Sequence, residues 1–108
     1  MLAKKNRVSS HNVNEIFKKG KFLNTENLTF KFFFPSGLIK SQISCIVPKS
    51  VVSGAVKRNK QRRMLYRILK SHFNDFPAGL MGALMYKKYT TDKVTLEKEV
   101  VSILNKLK

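Results

Sequence analysis

The 108-residue sequence holds a single cysteine, Cys45, so no disulfide can form within the chain. His11 and His72 stand too far apart in sequence to complete a metal set with it. Cys45 is therefore expected to be a small buried apolar side chain in a strand. Long apolar runs are also missing, so no segment is expected to cross a bilayer. The N-terminal residues are basic and then polar, unlike a secretory signal, and a reducing cytoplasm suits such a chain. Scarcest of all are acidic residues: 6 Asp and Glu face 22 Lys and Arg, a net charge of +16. Between Asn27 and Asn74 there are none. A body with that excess repels itself unless a polyanion lies close, and solubility needs far less charge. Nucleic acid or an anionic membrane surface is the expected partner.

Hydrophobic residues make up 43% of the chain, enough for a core, and the length suits one domain, so residues 1–108 are expected to form a single unit. Ser10 can cap a short helix carrying Val13, Ile16 and Phe17 on one face, with Lys18 and Lys19 near its end and Gly20 as its stop. A short extended piece over residues 21–25 precedes an alternating run. Leu28, Phe30, Phe32 and Phe34 share one face of that run; Thr29, Lys31 and Phe33 share the other. Pro35, Ser36 and Gly37 supply turn chemistry before a β-rich run over residues 42–47, which suggests an antiparallel pair ended by Pro48. Ser53 can cap a long helix reaching about Phe73, and Pro77 and Gly79 mark its exit. Residues 80–86 read as a buried strand. Leu96, Val100, Ile103, Leu104 and Leu107 then recur at helical spacing, with Thr95 as a cap. The sum is an α+β two-layer sandwich in the order α-β-β-β-α-β-α, with helices against a small mixed sheet.

The long helix carries the chemistry. Lys57, Arg58, Lys60, Arg62, Arg63, Arg67 and Lys70 crowd it, and like charges three and four apart cost a few tenths of a kcal/mol per pair. At 100° per residue, Leu65, Ile68, Leu69 and Phe73 form an apolar stripe, and Lys60, Arg63, Arg67 and Lys70 a basic one opposite. Arg58 and Arg62 continue the apolar stripe, where unpaired buried guanidinium groups would be very costly. The first turns are therefore expected to overhang the core and wall a groove. Arginine offers paired donors to phosphate oxygens, and Asn59 adds a donor and an acceptor for sugar or base edges. Lys18, Lys19, Lys21 and Lys31 add charge beside Phe33, and basic groups interleaved with aromatics suit single-stranded RNA.

The run Ala55-Val56-Lys57-Arg58-Asn59-Lys60-Gln61-Arg62-Arg63 resembles the signature of the bacterial ribonuclease P protein family, Ala-Val-x-Arg-Asn-Arg-x-Lys-Arg, preceded as there by a strand and a lysine, Lys49. Arg7 and Val8, followed by Val13, Ile16, Phe17, Lys18 and Gly20, resemble that family's N-terminal helix. Lys60 stands where the family usually has Arg, Arg62 where it usually has Lys, and Tyr66 where Arg is common. The resemblance implies a ribosomal protein S5 domain 2-like fold with a left-handed crossover. It also implies a catalytic RNA subunit as partner, precursor tRNA as substrate, and Mg2+ used by the RNA-containing holoenzyme to remove the 5′ leader. In that family the RNA carries catalysis, and the protein's central cleft, between the signature helix and the sheet, holds the leader.

Residues Lys49, Lys57, Arg58, Asn59, Lys60, Arg62, Arg63 and Arg67 are accordingly expected to bind RNA, and Phe17, Lys18, Lys31 and Phe33 to line the leader cleft. No catalytic residue, protein-bound metal, membrane or obligate protein partner is expected. A small ribosomal or RNA-assembly protein of similar fold remains a second reading. A membrane-surface protein is a third, disfavoured because the basic stripe lacks an exposed apolar face.

Overall fold

The computed structural model describes residues 10–107, with side chains from residue 13 onward. The expected contributions of Arg7, Val8 and the Ser10 side chain lie outside the described residues. Helix α1 (Ser10–Lys19) stops at Gly20, whose N–H donates to the Ile16 carbonyl at 2.8 Å. A Cβ at Gly20 would stand 2.4 Å from that same oxygen and 3.1 Å from the Phe32 carbonyl, so only glycine lets the chain turn this tightly onto the sheet. Strand β1 (Lys21–Asn24) follows at once and pairs antiparallel with β2 (Leu28–Phe33).

The next strand, β3 (Gln42–Ile46), does not form the expected antiparallel pair with β2. The sheet order is β1-β2-β4-β3, with β4 (Met81–Tyr86) antiparallel to β2 and parallel to β3. Two physical reasons override the hairpin. Residues 34–41 are more than the roughly two to five residues of a hairpin loop, and β4 is apolar on both faces, which suits the centre of a sheet. Gly82 sits in β4 because the Phe30 ring crosses it: an added Cβ would lie 2.6 Å from Phe30 Cζ.

Helix α2 (Ala55–His72) connects β3 to β4 and continues into a short 3-10 turn, Phe73–Asp75; α3 (Lys93–Leu107) closes the chain. Capping differs from expectation at both helices. Gly54, with φ of 90°, precedes α2 and makes no side-chain cap, so Ser53 does not serve. Asp92 rather than Thr95 caps α3: its Oδ1 accepts the N–H of Val94 at 3.1 Å and of Thr95 at 3.4 Å. Thr95 falls in the first turn, its hydroxyl donating to Asp92 Oδ2 at 2.8 Å.

Alternation along the strands gives the sheet two unlike faces. Leu28, Phe30, Ile43, Cys45, Leu84 and Tyr86 bury themselves under α2 and α3, making the main core with Leu65, Leu69, Leu96, Val100 and Ile103. Cys45 is a buried strand residue, as expected. On the far face a smaller cluster of Ile16, Met81 and Ala83, with Val13, Phe33 and Ile46 at its margin, seats α1. Sheet and paired helices are thus the two main layers, with α1 lying across part of the remaining face.

Candidate nucleic-acid interface

Burial along α2 follows its turns. Gln61, Leu65, Tyr66, Ile68 and Leu69 face the protein, and Lys57, Asn59, Lys60, Arg62, Arg63, Arg67 and Lys70 are exposed. Each fully buried leucine or isoleucine contributes about 1.5–3 kcal/mol, against about 0.2–0.5 kcal/mol lost per like-charge pair. Three such side chains in the last turns therefore hold a helix that its own charges would weaken.

The first turns have almost no such anchor. Ala55, Val56 and Lys57 are exposed, so the helix does overhang the core there. Arg58 is half-buried, and its Nη1 donates to the Val52 carbonyl at 3.3 Å. Arg62 lies wholly outside, its Nη2 donating to Asn59 Oδ1. The place on the core-facing line that the wheel gives to charged residues is filled by Gln61 instead: the Tyr86 hydroxyl donates to its Oε1 at 2.8 Å. A neutral amide meets the burial that a guanidinium would not tolerate.

Along the outer side of α2, Lys60, Arg63 and Arg67 share a groove of about 360 Å³ with Thr91, which precedes α3, and Lys93 at its start. No carboxylate lines it. Lys93 and Thr91 were not legible as site residues in the sequence, because only the return of α3 against α2 brings them there. Five of the six carboxylates are engaged elsewhere: Glu15 pairs with Lys19 at 3.1 Å, and Glu97 and Asp75 approach His72 at 3.3 and 3.8 Å. Glu99 accepts the Asn27 N–H at 2.7 Å, and Asp92 caps α3. Among the described residues, no carboxylate pairs with a lysine or arginine of α2. Lys49 is exposed on the turn after β3, where the Pro48 carbonyl accepts the N–H groups of Val51 and Val52 at 3.0 Å.

The residues expected to line the leader cleft gather in a different place from the one expected. Between α2 and the sheet the described residues pack as the main core. Lys31 and Phe33 alternate with Phe30 and so point to the far face, toward α1. There the Lys31 ammonium lies 4.8 Å from the centre of the Phe17 ring, a cation-π contact. Phe17 and Lys18 are exposed, whereas Phe33 is half-buried against the Ile16 and Met81 cluster. The aromatic and the purely cationic surfaces therefore lie on opposite sides of the sheet.

Burial pushes the Cys45 thiol above its ordinary range, with the Arg62 charge opposing only in part, so it is not a ready nucleophile. Among the described residues, no group of three His, Cys, Asp or Glu could hold a metal ion. Among the described residues, no helix is long and apolar enough to cross a membrane.

An α+β scaffold with an uncompensated basic helix on one side and exposed aromatic and basic groups on the other defines a nucleic-acid-binding protein. Solved structures share its architecture. The RNase P protein of Thermotoga maritima superposes with a TM-score of 0.81 at 22% identity, covering 94% of this chain and 97% of that one. The Staphylococcus aureus RNase P protein does so at 0.82 with 16% identity, covering 95% of each. No curated protein sequence matches. The ribonuclease P family model matches residues 2–108, and the chain belongs to that family. It is the protein component of the endoribonuclease that matures tRNA 5′ ends, in which catalysis resides in RNA.

Proposed function

We propose that residues 1–108 act as one cytoplasmic RNA-binding domain with two separate surfaces. The exposed cations of α2, with Lys49 and Lys93, hold the ribonuclease P RNA; Phe17, Lys18, Lys31 and Phe33 take the leader of precursor tRNA. The observation that carries this reading is the absence of any carboxylate partner for the α2 lysines and arginines among the described residues.

Each exposed arginine or lysine neutralises a phosphate and releases counterions, so binding to a folded RNA follows from charge and needs no base contact. Arg58 is positioned as well as charged, since its bond to the Val52 carbonyl fixes the guanidinium at the start of the helix. On the other face, Lys31 serves a backbone phosphate while Phe17 presents a ring to a base. By spreading positive charge between two polyanions the protein lowers the repulsion of precursor and RNA subunit. The family implies a magnesium requirement. The parts proposed for this chain's own residues are binding and screening.

The test is cleavage of precursor tRNA by the cognate RNA subunit over a magnesium series, with and without this protein. The protein is expected to lower the magnesium concentration needed. An unchanged requirement would overturn the proposal.

A further inference from the structure

Phe22 is unused by the surfaces described so far. It lies on β1, an edge strand, and is 61% exposed, far more than an aromatic kept for packing. In the antiparallel register Phe22 stands directly opposite Lys31, so the two side chains share a face with Cβ atoms about 5 Å apart. That face is the one on which Lys31 meets Phe17, itself 41% exposed. Lys31 is thus the common neighbour of two exposed rings. The tight turn at Gly20, closed by its bond to the Ile16 carbonyl, keeps the end of α1 and the start of β1 together, so the spacing of the two rings is built into the fold. The chain between them carries Lys18, Lys19 and Lys21, all exposed, with Lys19 paired to Glu15.

Two ordinary accounts of an exposed phenylalanine fit poorly. A ring covered by the domain's own core would not stand this open, and an apolar docking face would not be ringed by ammonium groups. A row of rings beside ammonium groups matches single-stranded nucleic acid, whose bases stack while its phosphates are neutralised.

We propose that Phe22 is a stacking residue for the single-stranded leader, extending the Phe17 and Lys31 surface outward along β1. The inference rests on the reading that this face takes the leader. Its selectivity is for an unpaired strand rather than a sequence, since every base offers a π-face. Length of leader, not composition, then decides how much of the surface is used.

The experiment measures dissociation constants of the holoenzyme for two precursors, one with a long single-stranded leader and one trimmed to a single leader nucleotide, using wild-type protein, Phe22→Leu and Phe22→Trp. Leucine keeps an apolar side chain at an exposed position and is not expected to affect folding; tryptophan keeps the stacking plane. Phe22→Leu is expected to weaken the long-leader precursor by about 5- to 20-fold, to leave the trimmed precursor unchanged, and Phe22→Trp to restore binding. If the wild type prefers the long leader and Phe22→Leu retains that preference in full, the assignment of Phe22 falls while the leader surface stands. If the wild type does not distinguish the two precursors, the leader surface falls and the assignment with it. A shift in sedimentation between wild-type protein and Phe22→Leu would show that the ring covers a second copy instead, and would equally overturn the proposal.

Discussion

The Tyr66 hydroxyl of α2 accepts a hydrogen bond from the backbone N–H of Cys45 in β3 at 3.1 Å. β3 is a sheet edge, with β4 on its other side, and an edge strand leaves a row of backbone groups without strand partners. Tyr66 supplies one of them and, 4% exposed, closes the edge under the basic helix. At a position where the family commonly has arginine, this chain spends the side chain on anchoring the helix.

Tyr66→Phe keeps the ring and removes the acceptor. The buried Cys45 N–H loses its partner, at a cost of about 1–2 kcal/mol. In a chain of this length that is a fall in Tm of roughly 5–15 °C. RNA affinity at a temperature where the variant is folded is expected to be unchanged. Thermal unfolding followed by circular dichroism, beside a filter-binding measurement, checks both parts; a loss of affinity without loss of stability would return Tyr66 to the RNA surface.

Arg63→Ala and Arg58→Ala separate charge from position. Arg63 is exposed, so its removal is expected to lower the slope of log affinity against log salt by about one phosphate's worth while leaving stability within about 0.5 kcal/mol. Arg58→Ala should lower the same slope and also destabilise the start of α2, because the Val52 carbonyl loses its donor. Salt titrations of RNA binding and urea unfolding of both variants check this. Equal stability of the two would mean that the bond to Val52 contributes nothing.

Most of the element order was legible because period alone reports it: the two-residue alternation through Phe30 and Phe32 and the helical recurrence through Leu96, Val100 and Ile103 are local signals. The neighbours of each strand were not. That β4 enters between β2 and β3 depends on contacts across most of the chain, and the sequence near Pro35 contains turn residues whether the chain reverses into a hairpin or passes over a strand. For the same reason the residues proposed for the leader could be named but not placed. Lys31 and Phe33 stood out by type and alternation and Phe17 through the family resemblance, whereas their side of the sheet is set by which face α2 takes. The groove partner Lys93 and the exposed Phe22 carried no local signal that distinguishes them from other surface residues.

Asp92 gives α3 a pH-dependent start. The hydrogen bond from the Thr95 hydroxyl, then those from the Thr95 and Val94 backbone, hold its carboxyl below the ordinary carboxylate range, with nearby Lys98 adding in the same direction and desolvation opposing. A carboxyl lowered on folding stabilises fully above its unfolded pKa, near 3.9, and that contribution disappears as pH falls through the lower folded value. Asp92→Asn keeps a capping oxygen without the charge. The stability difference between wild type and this variant is expected to be constant above about pH 5 and to shrink below about pH 4. Urea midpoints across that interval check it, and a difference that grows on acidification would contradict the cap.

Glu99 couples the same helix to the sheet. It is 8% exposed, and its Oε1 accepts the Asn27 N–H at 2.7 Å and also the Thr25 hydroxyl. The other oxygen, Oε2, is buried and has no hydrogen-bond partner. The two oxygens predict opposite outcomes for two substitutions. Glu99→Ala removes the acceptor for a buried backbone donor and is expected to destabilise by about 1–3 kcal/mol. Glu99→Gln can keep the acceptor at Oε1 while removing a buried charge, so its cost is expected to be smaller, or negative if the amide finds a donor site toward Ser102 in the cavity that both residues line. Neither substitution touches the cations of α2 or the Phe17 and Lys31 surface. Precursor cleavage by the reconstituted holoenzyme should therefore be retained by both variants at temperatures where they are folded. Urea unfolding ranks the stabilities; a Glu99→Gln variant as unstable as Glu99→Ala would show that the charge itself, rather than the hydrogen bonds to Asn27 and Thr25, holds α3 in place.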